Sequence, residues 1–163
     1  MNLPVVRNPA PSSTDACAAL ERELLADIPL ARAMALSVSG YAAASLTLAA
    51  PLAPNVNDKG CAFGGSLASL MTLAGWGLLK LAVDARALDC DIYVQDSTVR
   101  YLAPVWQDFS AVARLDDAES FDEFFAALDA RGKGRVRVRC AVPLPQGGDA
   151  ATLEARFVAL AKR

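Results

Sequence analysis

The pattern of apolar and polar residues predicts a buried helix in the middle of the chain, with strands on both sides of it. The uncharged run over 60–79 predicts a helix at about 64–83. An earlier amphipathic helix is predicted at about 14–27, before Pro29. Alternation of apolar with small or polar residues predicts strands at 34–38, 45–50, 92–102, 109–115, 135–142 and 153–160.

Local signals between these elements complete the predicted order. Ser39-Gly40 is expected to turn the chain between the first two strands. Ser120 and Glu123 form a capping box for a short helix that Gly132 ends. The phenylalanines of this helix cover an open end of the core or wall a ligand pocket. Because no strand–helix–strand alternation occurs, we expect an α+β fold: an antiparallel sheet with the long helix on one face.

The strand at 135–142 carries a stripe of arginines. Arg135, Arg137 and Arg139 are expected to face outward, while Val136 and Val138 face the core. We interpret the stripe as a solvated sheet face, and phosphate binding stays open as an alternative.

Composition narrows the functional classes. The chain has 163 residues, is 54% hydrophobic and carries a net charge of -2, which predicts one domain over 14–163 after a flexible segment at 1–13. This charge balance disfavours a nucleic-acid partner. Histidine is absent, which excludes Ser-His-Asp and Cys-His catalysis and histidine-ligated metals. The four cysteines lack C-x-x-C spacing, so we expect no metal and no cofactor.

The N-terminal segment has no apolar stretch typical of a signal peptide, so we expect a cytoplasmic protein with reduced thiols. The run over 60–79 is long enough to span a bilayer. However, it contains glycines and hydroxyl residues, and Lys59 and Lys80 flank it symmetrically. We therefore expect a buried helix and no membrane partner.

A polar loop, residues 55–63, leads into Gly64-Gly65 at the start of the long helix. The first N–H groups of a helix and the positive end of its dipole favour an anion, or a carbonyl oxygen that becomes one. The glycines otherwise serve close helix–sheet packing. Asn57 is a candidate donor to a carbonyl or to water. Asn55 is a second candidate, unless it ties the loop.

These residues resemble the motif of hotdog-fold thioesterases. Many members have an Asn, a Gly and a His-Gly-Gly before the central helix, which Asn57, Gly60 and Phe63-Gly64-Gly65 match, with Phe63 in place of the histidine. The longer strings at 55–77 and 96–105 resemble the thioesterase family also found fused C-terminal to some acetyltransferase domains.

The resemblance implies a hotdog fold, in which the antiparallel sheet wraps around the central helix. It also implies hydrolysis of an acyl thioester on coenzyme A or acyl carrier protein. The expected assembly is a homodimer or a dimer of dimers, with the site shared across the subunit interface. The missing histidine disfavours the dehydratases of the same superfamily.

One departure concerns the base. Better-known relatives have an acid on the helix where this chain has Thr72, and no acid occurs at 59–83. The alternation of apolar residues in this strand shifts phase near Gln95–Ser97, which predicts a bulge. Because bulges often lie near active sites, Asp96 is a candidate general base. The alternative for Asp96 is a structural, hydrogen-bonded acid.

The expected site therefore has two groups. The catalytic candidates are Asn57, Gly64, Gly65 and Asp96. The substrate-binding candidates are Asn55, Phe63, Ser66, Ser69, Thr72 and Ser97. A rival from another class is an acyl-binding or regulatory domain without turnover, which the missing histidine and helix acid favour.

Overall fold

The computed structural model describes residues 12–162, so the predicted flexible segment lies outside them apart from Ser12 and Ser13. The described chain forms four α-helices and six strands. The helices are α1 (Ser13–Asp27), α2 (Pro29–Ala33), α3 (Gly64–Ala85) and α4 (Phe121–Arg131). The strands are β1 (Ser37–Ala42), β2 (Ser45–Ala50), β3 (Cys90–Tyr101), β4 (Phe109–Leu115), β5 (Lys133–Pro143) and β6 (Asp149–Ala161).

The strands form a single antiparallel sheet in the order β1-β2-β4-β5-β6-β3. The central helix α3 packs against every strand from β2 to β6. This arrangement confirms the predicted α+β class and the hotdog fold, in which a sheet wraps around a long helix. The strand β3 is at one edge of the sheet, so one of its backbone edges has no neighbouring strand within the described chain.

Small residues allow α3 to approach the sheet closely. A Cβ on Gly75 would be only 2.7 Å from Cε2 of Phe157, and a Cβ on Gly77 would be 2.8 Å from Cδ2 of Leu46. The side chains of Phe157 and Leu46 are fully buried. Glycine at these positions therefore serves close packing of the helix on the sheet.

The length and composition of α3 would also suit a membrane span. Its most apolar stretch has a mean hydropathy of 1.5, and 61% of that stretch is buried inside the domain. The core helix of a globular domain has the same properties. The contacts of α3 with five strands identify it as that core helix.

The start of the domain differs from the prediction. Met34 and Leu36 are buried in the connection before β1 and are not part of a strand. Gly40 pairs with Thr47 inside the β1–β2 hairpin, and the turn falls on Ala43 and Ala44, whose φ angles are 48° and 55°. Alanine carries no turn signal, which explains why the pattern placed the turn at Ser39-Gly40.

The short helix α4 covers the helix-facing side of the sheet next to the C-terminal end of α3. A Cβ on Gly134 would be 2.8 Å from the carbonyl oxygen of Phe124, so the two backbones are in close contact. Arg86, at the end of α3, places its guanidinium 3.8 Å from the ring centroid of Phe125. The phenylalanines therefore cover one end of the core, the first of the two roles predicted for them.

Candidate active site at the start of the central helix

The first two N–H groups of α3 are free. Gly64 and Gly65 open the helix, and the preceding residue, Phe63, offers no side-chain cap. The N–H groups of Ser66 and Leu67 donate to the carbonyl oxygen of Phe63, at 2.9 and 3.1 Å. Within residues 12–162, no acceptor meets the N–H groups of Gly64 and Gly65. The helix therefore presents two donors, with the positive end of its dipole behind them.

Asn55 fixes the loop that leads to these donors. Its side chain is 2% exposed, and its Nδ2 donates to the carbonyl oxygens of Met34 (2.9 Å) and Pro51 (2.8 Å). Its own carbonyl oxygen accepts from the N–H of Phe63 at 2.7 Å. Both amide hydrogens of Asn55 are thus used within the protein. This geometry supports the loop-tying role that the sequence left open.

The side chain of Asn57 is also engaged within the loop. Its Oδ1 accepts from the N–H of Lys59 at 2.8 Å, and its Nδ2 is 3.2 Å from Sγ of Cys61. The first contact is typical of an Asx turn. One hydrogen of Nδ2 is left for a ligand, so the loop occupies most but not all of this amide.

Aromatic rings flank the glycine pair. A Cβ on Gly64 would be 3.2 Å from Cε1 of Tyr101, and a Cβ on Gly65 would overlap the ring of Phe63. These two rings are 58% and 56% exposed, respectively. A cavity of about 360 Å³ lies beside Gly64. Its lining is mainly apolar and consists of Ala62, Gly64, Leu67, Tyr101, Leu102, Ala103 and Pro104.

Several hydroxyl groups lie along α3. Ser66 is in its first turn, Ser69 follows Gly65 by about 6 Å along the helix axis, and Thr72 follows by about 10 Å. The Oγ1 of Thr72 donates to the carbonyl oxygen of Ala68 at 2.9 Å, which leaves its lone pairs free to accept from water. Ser97, on β3, is exposed and pairs with Ala155. Since Ala155 is buried, Ser97 shares the helix-facing side of the sheet.

The structure does not bring Asp96 to the glycine pair within one chain. The predicted bulge is confirmed, because the β3–β6 register shifts between Val94 and Asp96. However, Asp96 pairs with Arg156 and contacts its Nε at 3.7 Å, on the face opposite the helix. Asp96 also precedes Tyr101 by five residues, or roughly 17 Å along the strand.

Three of the four thiols are poor nucleophiles because their pKa values are raised. Burial raises the pKa of Cys140 to about 12. Burial also raises the pKa values of Cys17 and Cys90, and the carboxylates of Asp89 and Asp91 add to the shift at Cys90. In residues 12–162, no group of three or more Cys, Asp or Glu side chains could hold a metal ion.

The exposed aromatic and apolar surface around the site was not predicted from the sequence. Tyr101, Leu102 and Trp106 are 58%, 60% and 61% exposed. The first two lie in the matched string at 96–105, of which only Asp96 and Ser97 were named as candidates. Exposure of large apolar residues can be inferred only from the fold, because β3 turns out to be an edge strand.

Comparison with known proteins identifies the family and supports the fold. The family model YiiD_C, described as "Putative thioesterase (yiiD_Cterm)", matches residues 17–161. A protein of unknown function from Chlorobaculum tepidum is 26% identical, with a TM-score of 0.87 over 95% of this chain and 100% of that one. A "putative thioesterase" from Shewanella oneidensis is 28% identical, with a TM-score of 0.80 over 90% and 99%. A "Probable Thioesterase" from Pseudomonas aeruginosa is 25% identical, with a TM-score of 0.74 over 89% and 96%.

Proposed function

The chain belongs to the YiiD_C family, and we propose that it hydrolyses an acyl thioester carried by coenzyme A or by acyl carrier protein. The observation that carries the proposal is the pair of free N–H groups on Gly64 and Gly65, next to an apolar cavity of about 360 Å³. A thioester carbonyl fits such a pair, because its oxygen gains negative charge when a nucleophile adds.

In the proposed reaction, the oxygen of a water molecule forms a bond to the thioester carbon, and the C–S bond breaks. The N–H groups of Gly64 and Gly65 stabilise the oxyanion between these steps. One proton of the water passes to the departing thiolate, so the products are a carboxylic acid and a free thiol. The hydroxyl of Ser69, about 6 Å along the helix axis from Gly65, orients the water, and the remaining Nδ2 hydrogen of Asn57 assists it. Thr72 and Ser97 lie farther from the glycine pair and contact the substrate.

We assign the other predicted residues by their positions. Phe63 and Tyr101 form the apolar walls on the two sides of the glycine pair, and Ser66 lies in the first turn between them and Ser69. Asn55 keeps the loop in shape. Asp96 faces away from the helix, so it remains a general-base candidate only if a partner subunit rearranges or shares the site.

The exposed edge of β3 supports a homodimer. It is 12 residues long and carries exposed Tyr93 (54%) and Val94 (43%). A long edge with apolar side chains favours pairing with another strand. Antiparallel pairing of two β3 strands would bring the cavities of both subunits toward one interface, so we propose that the partner completes each site. Four unpaired cysteines suit the cytoplasmic location that we also propose.

The test is thiol release from a panel of acyl-CoA and acyl carrier protein substrates of different chain lengths. Thiol release from any of these substrates, at a rate proportional to the protein concentration, supports hydrolysis. Binding of an acyl thioester without thiol release would instead support the rival function, a non-catalytic acyl-binding domain. The absence of an acid on the first five turns of α3 is the observation that favours this rival.

A further inference from the structure

The outer face of the sheet, opposite α3, bears a dense group of cations. Lys133, Arg135, Arg137 and Arg139 follow one another on alternate positions of β5 and are all exposed. They form a row about 20 Å long, since two residues of a strand span about 6.8 Å. Arginines on the neighbouring strands extend this row. We define the basic face as these four residues together with Arg100, Arg114 and Arg156.

Two cross-strand pairs in the basic face oppose like charges. Arg114 of β4 pairs directly with Arg139 of β5, and Arg137 of β5 pairs directly with Arg156 of β6. Like charges in directly opposed positions destabilise a sheet. A local feature that works against folding is expected where function requires it.

The carboxylates on this side neutralise only part of the charge. Asp116 and Asp117 contact Arg139 at 2.7 and 3.6 Å, and Asp96 contacts Arg156 at 3.7 Å. Glu154 of β6 is also exposed on this face and pairs directly with Arg139 across the strands. The N–H of Ala118, followed by Arg139 and Arg137, holds the pKa of Asp116 below its usual value. Within residues 12–162, no ion pair forms to the other five cations: Arg100, Arg114, Lys133, Arg135 and Arg137.

The basic face reaches the strand end next to the candidate site. Arg100 directly precedes Tyr101, whose ring contacts Gly64 on the helix side. Because successive side chains of a strand point to opposite faces, these two residues join the basic face to the cavity around the end of β3. Pairing along the backbone edge of β3 would leave the basic face uncovered.

We propose that the basic face docks an acidic carrier protein, which delivers the acyl thioester on a flexible arm around the end of β3. The inference rests on the proposed thioester hydrolysis and selects one of its two carriers. An acidic helix of about 13 residues matches the length of the row on β5. The interspersed carboxylates and the net charge of -2 disfavour a nucleic acid. Tyr93 and Leu160 are exposed apolar side chains on this face, at 54% and 37%, so the test includes anionic vesicles.

The test compares one acyl group on two carriers: acyl carrier protein and the small thiol N-acetylcysteamine. The variant is Arg137→Glu, which places a carboxylate opposite Arg156 and so should keep or raise the melting temperature. We expect kcat/KM for the protein-linked substrate to fall about tenfold or more relative to the small thioester. Arg137→Lys, which keeps the charge, and Arg22→Glu, an exposed arginine on α1, should change this ratio by less than about twofold.

Direct binding separates this proposal from the proposed function. Fluorescence anisotropy with unacylated carrier protein should show binding that weakens with salt and with Arg137→Glu, whether or not the protein turns over any thioester. If no thioester is hydrolysed but this binding occurs, only the proposed function fails. If the small thioester is hydrolysed and Arg137→Glu leaves the ratio unchanged, the docking proposal is overturned. Binding to anionic vesicles or single-stranded DNA, but not to the carrier, would overturn it as well.

Discussion

The two ends of the central helix are built in opposite ways. At the C-terminal end, the N–H of Ala87 donates to the backbone carbonyl oxygen of Asp84 at 2.9 Å, and the N–H of Leu88 donates to that of Val83 at 3.2 Å. With Ala87 at φ 52°, these bonds form a Schellman motif. Helix α4 then covers this end. At the N-terminal end, the N–H groups of Gly64 and Gly65 have no partner in the described chain, and the flanking aromatic rings are more than half exposed.

This difference is why we place the proposed function at the N-terminal end. A helix end whose backbone groups find partners is the expected outcome of folding, and at the C-terminal end of α3 the carbonyl oxygens of Val83 and Asp84 do so. A helix start without a side-chain cap, next to exposed apolar rings, is less stable than a capped helix start would be. Such departures from local consistency are typical of sites that bind a ligand.

The strongest test supplies the missing cap. In Phe63→Asp, the carboxylate would accept from the N–H of Gly65 or Ser66, and its charge would favour the helix dipole. We expect stability to rise by about 0.5–2 kcal/mol, as for other N-caps, while turnover falls by about 10²–10³ because the oxyanion donors are occupied. Chemical denaturation and thiol release measure the two effects.

Phe63→Leu is the control, since it keeps an apolar side chain and adds no cap. A smaller loss of turnover is expected from it. Equal losses in Phe63→Leu and Phe63→Asp would show that the ring, and not the free N–H groups, governs the rate.

A matched pair of glycines sharpens the same comparison. In Gly75→Ala, the added Cβ would press on the buried ring of Phe157, and we expect a loss of about 1–3 kcal/mol in stability with normal turnover per folded molecule. In Gly65→Ala, the added Cβ meets the ring of Phe63, which is 56% exposed and free to move aside. We therefore expect little loss of stability but lower turnover. Denaturant titration and specific activity should be measured for both variants. If the two variants lose stability and turnover in the same proportion, Gly75 and Gly65 do not have separate structural and functional roles.

The sequence predicts features set by neighbouring residues better than features set by contacts between distant parts of the chain. The bounds of β4, at 109–115, and the start of α3 at Gly64 agree with the prediction, because alternation and the glycine pair are local signals. The turn at Ala43–Ala44 was missed, since these alanines adopt positive φ only under the constraint of the hairpin.

The candidate site was predictable only in part. Its location at Gly64-Gly65 follows from local signals, but the direction of each side chain does not. The bulge in β3 decides which face carries Asp96, and the contact with Arg156 becomes visible only once β6 is paired. The engagement of Asn55 likewise depends on Met34, which is 21 residues away in sequence.

We expect the C-terminal end of α3 to accept a stabilising substitution without loss of turnover. Ala87 adopts the left-handed conformation that glycine usually provides at this position of a Schellman motif. In Ala87→Gly, relief of backbone strain outweighs the added freedom of the unfolded chain, and we expect stability to rise by about 0.5–1 kcal/mol. Thermal unfolding and turnover should be measured together. Altered turnover would mean that the two ends of α3 are coupled.

The smallest expected effect concerns Asp96, which belongs to neither end of the helix. Its carboxylate faces away from α3 and contacts Arg156 at 3.7 Å in an exposed ion pair, so Asp96→Asn removes little stability. We expect turnover to stay within about threefold of the unmodified protein, because the hydroxyl of Ser69, on α3, orients the water. General-base catalysis usually contributes about 10²-fold or more. A loss of that size, together with loss of the acidic limb of the pH–rate profile, would instead assign the base to Asp96. Since Asp96 lies roughly 17 Å from Tyr101 of its own chain, the partner subunit would then have to bring this carboxylate to the glycine pair.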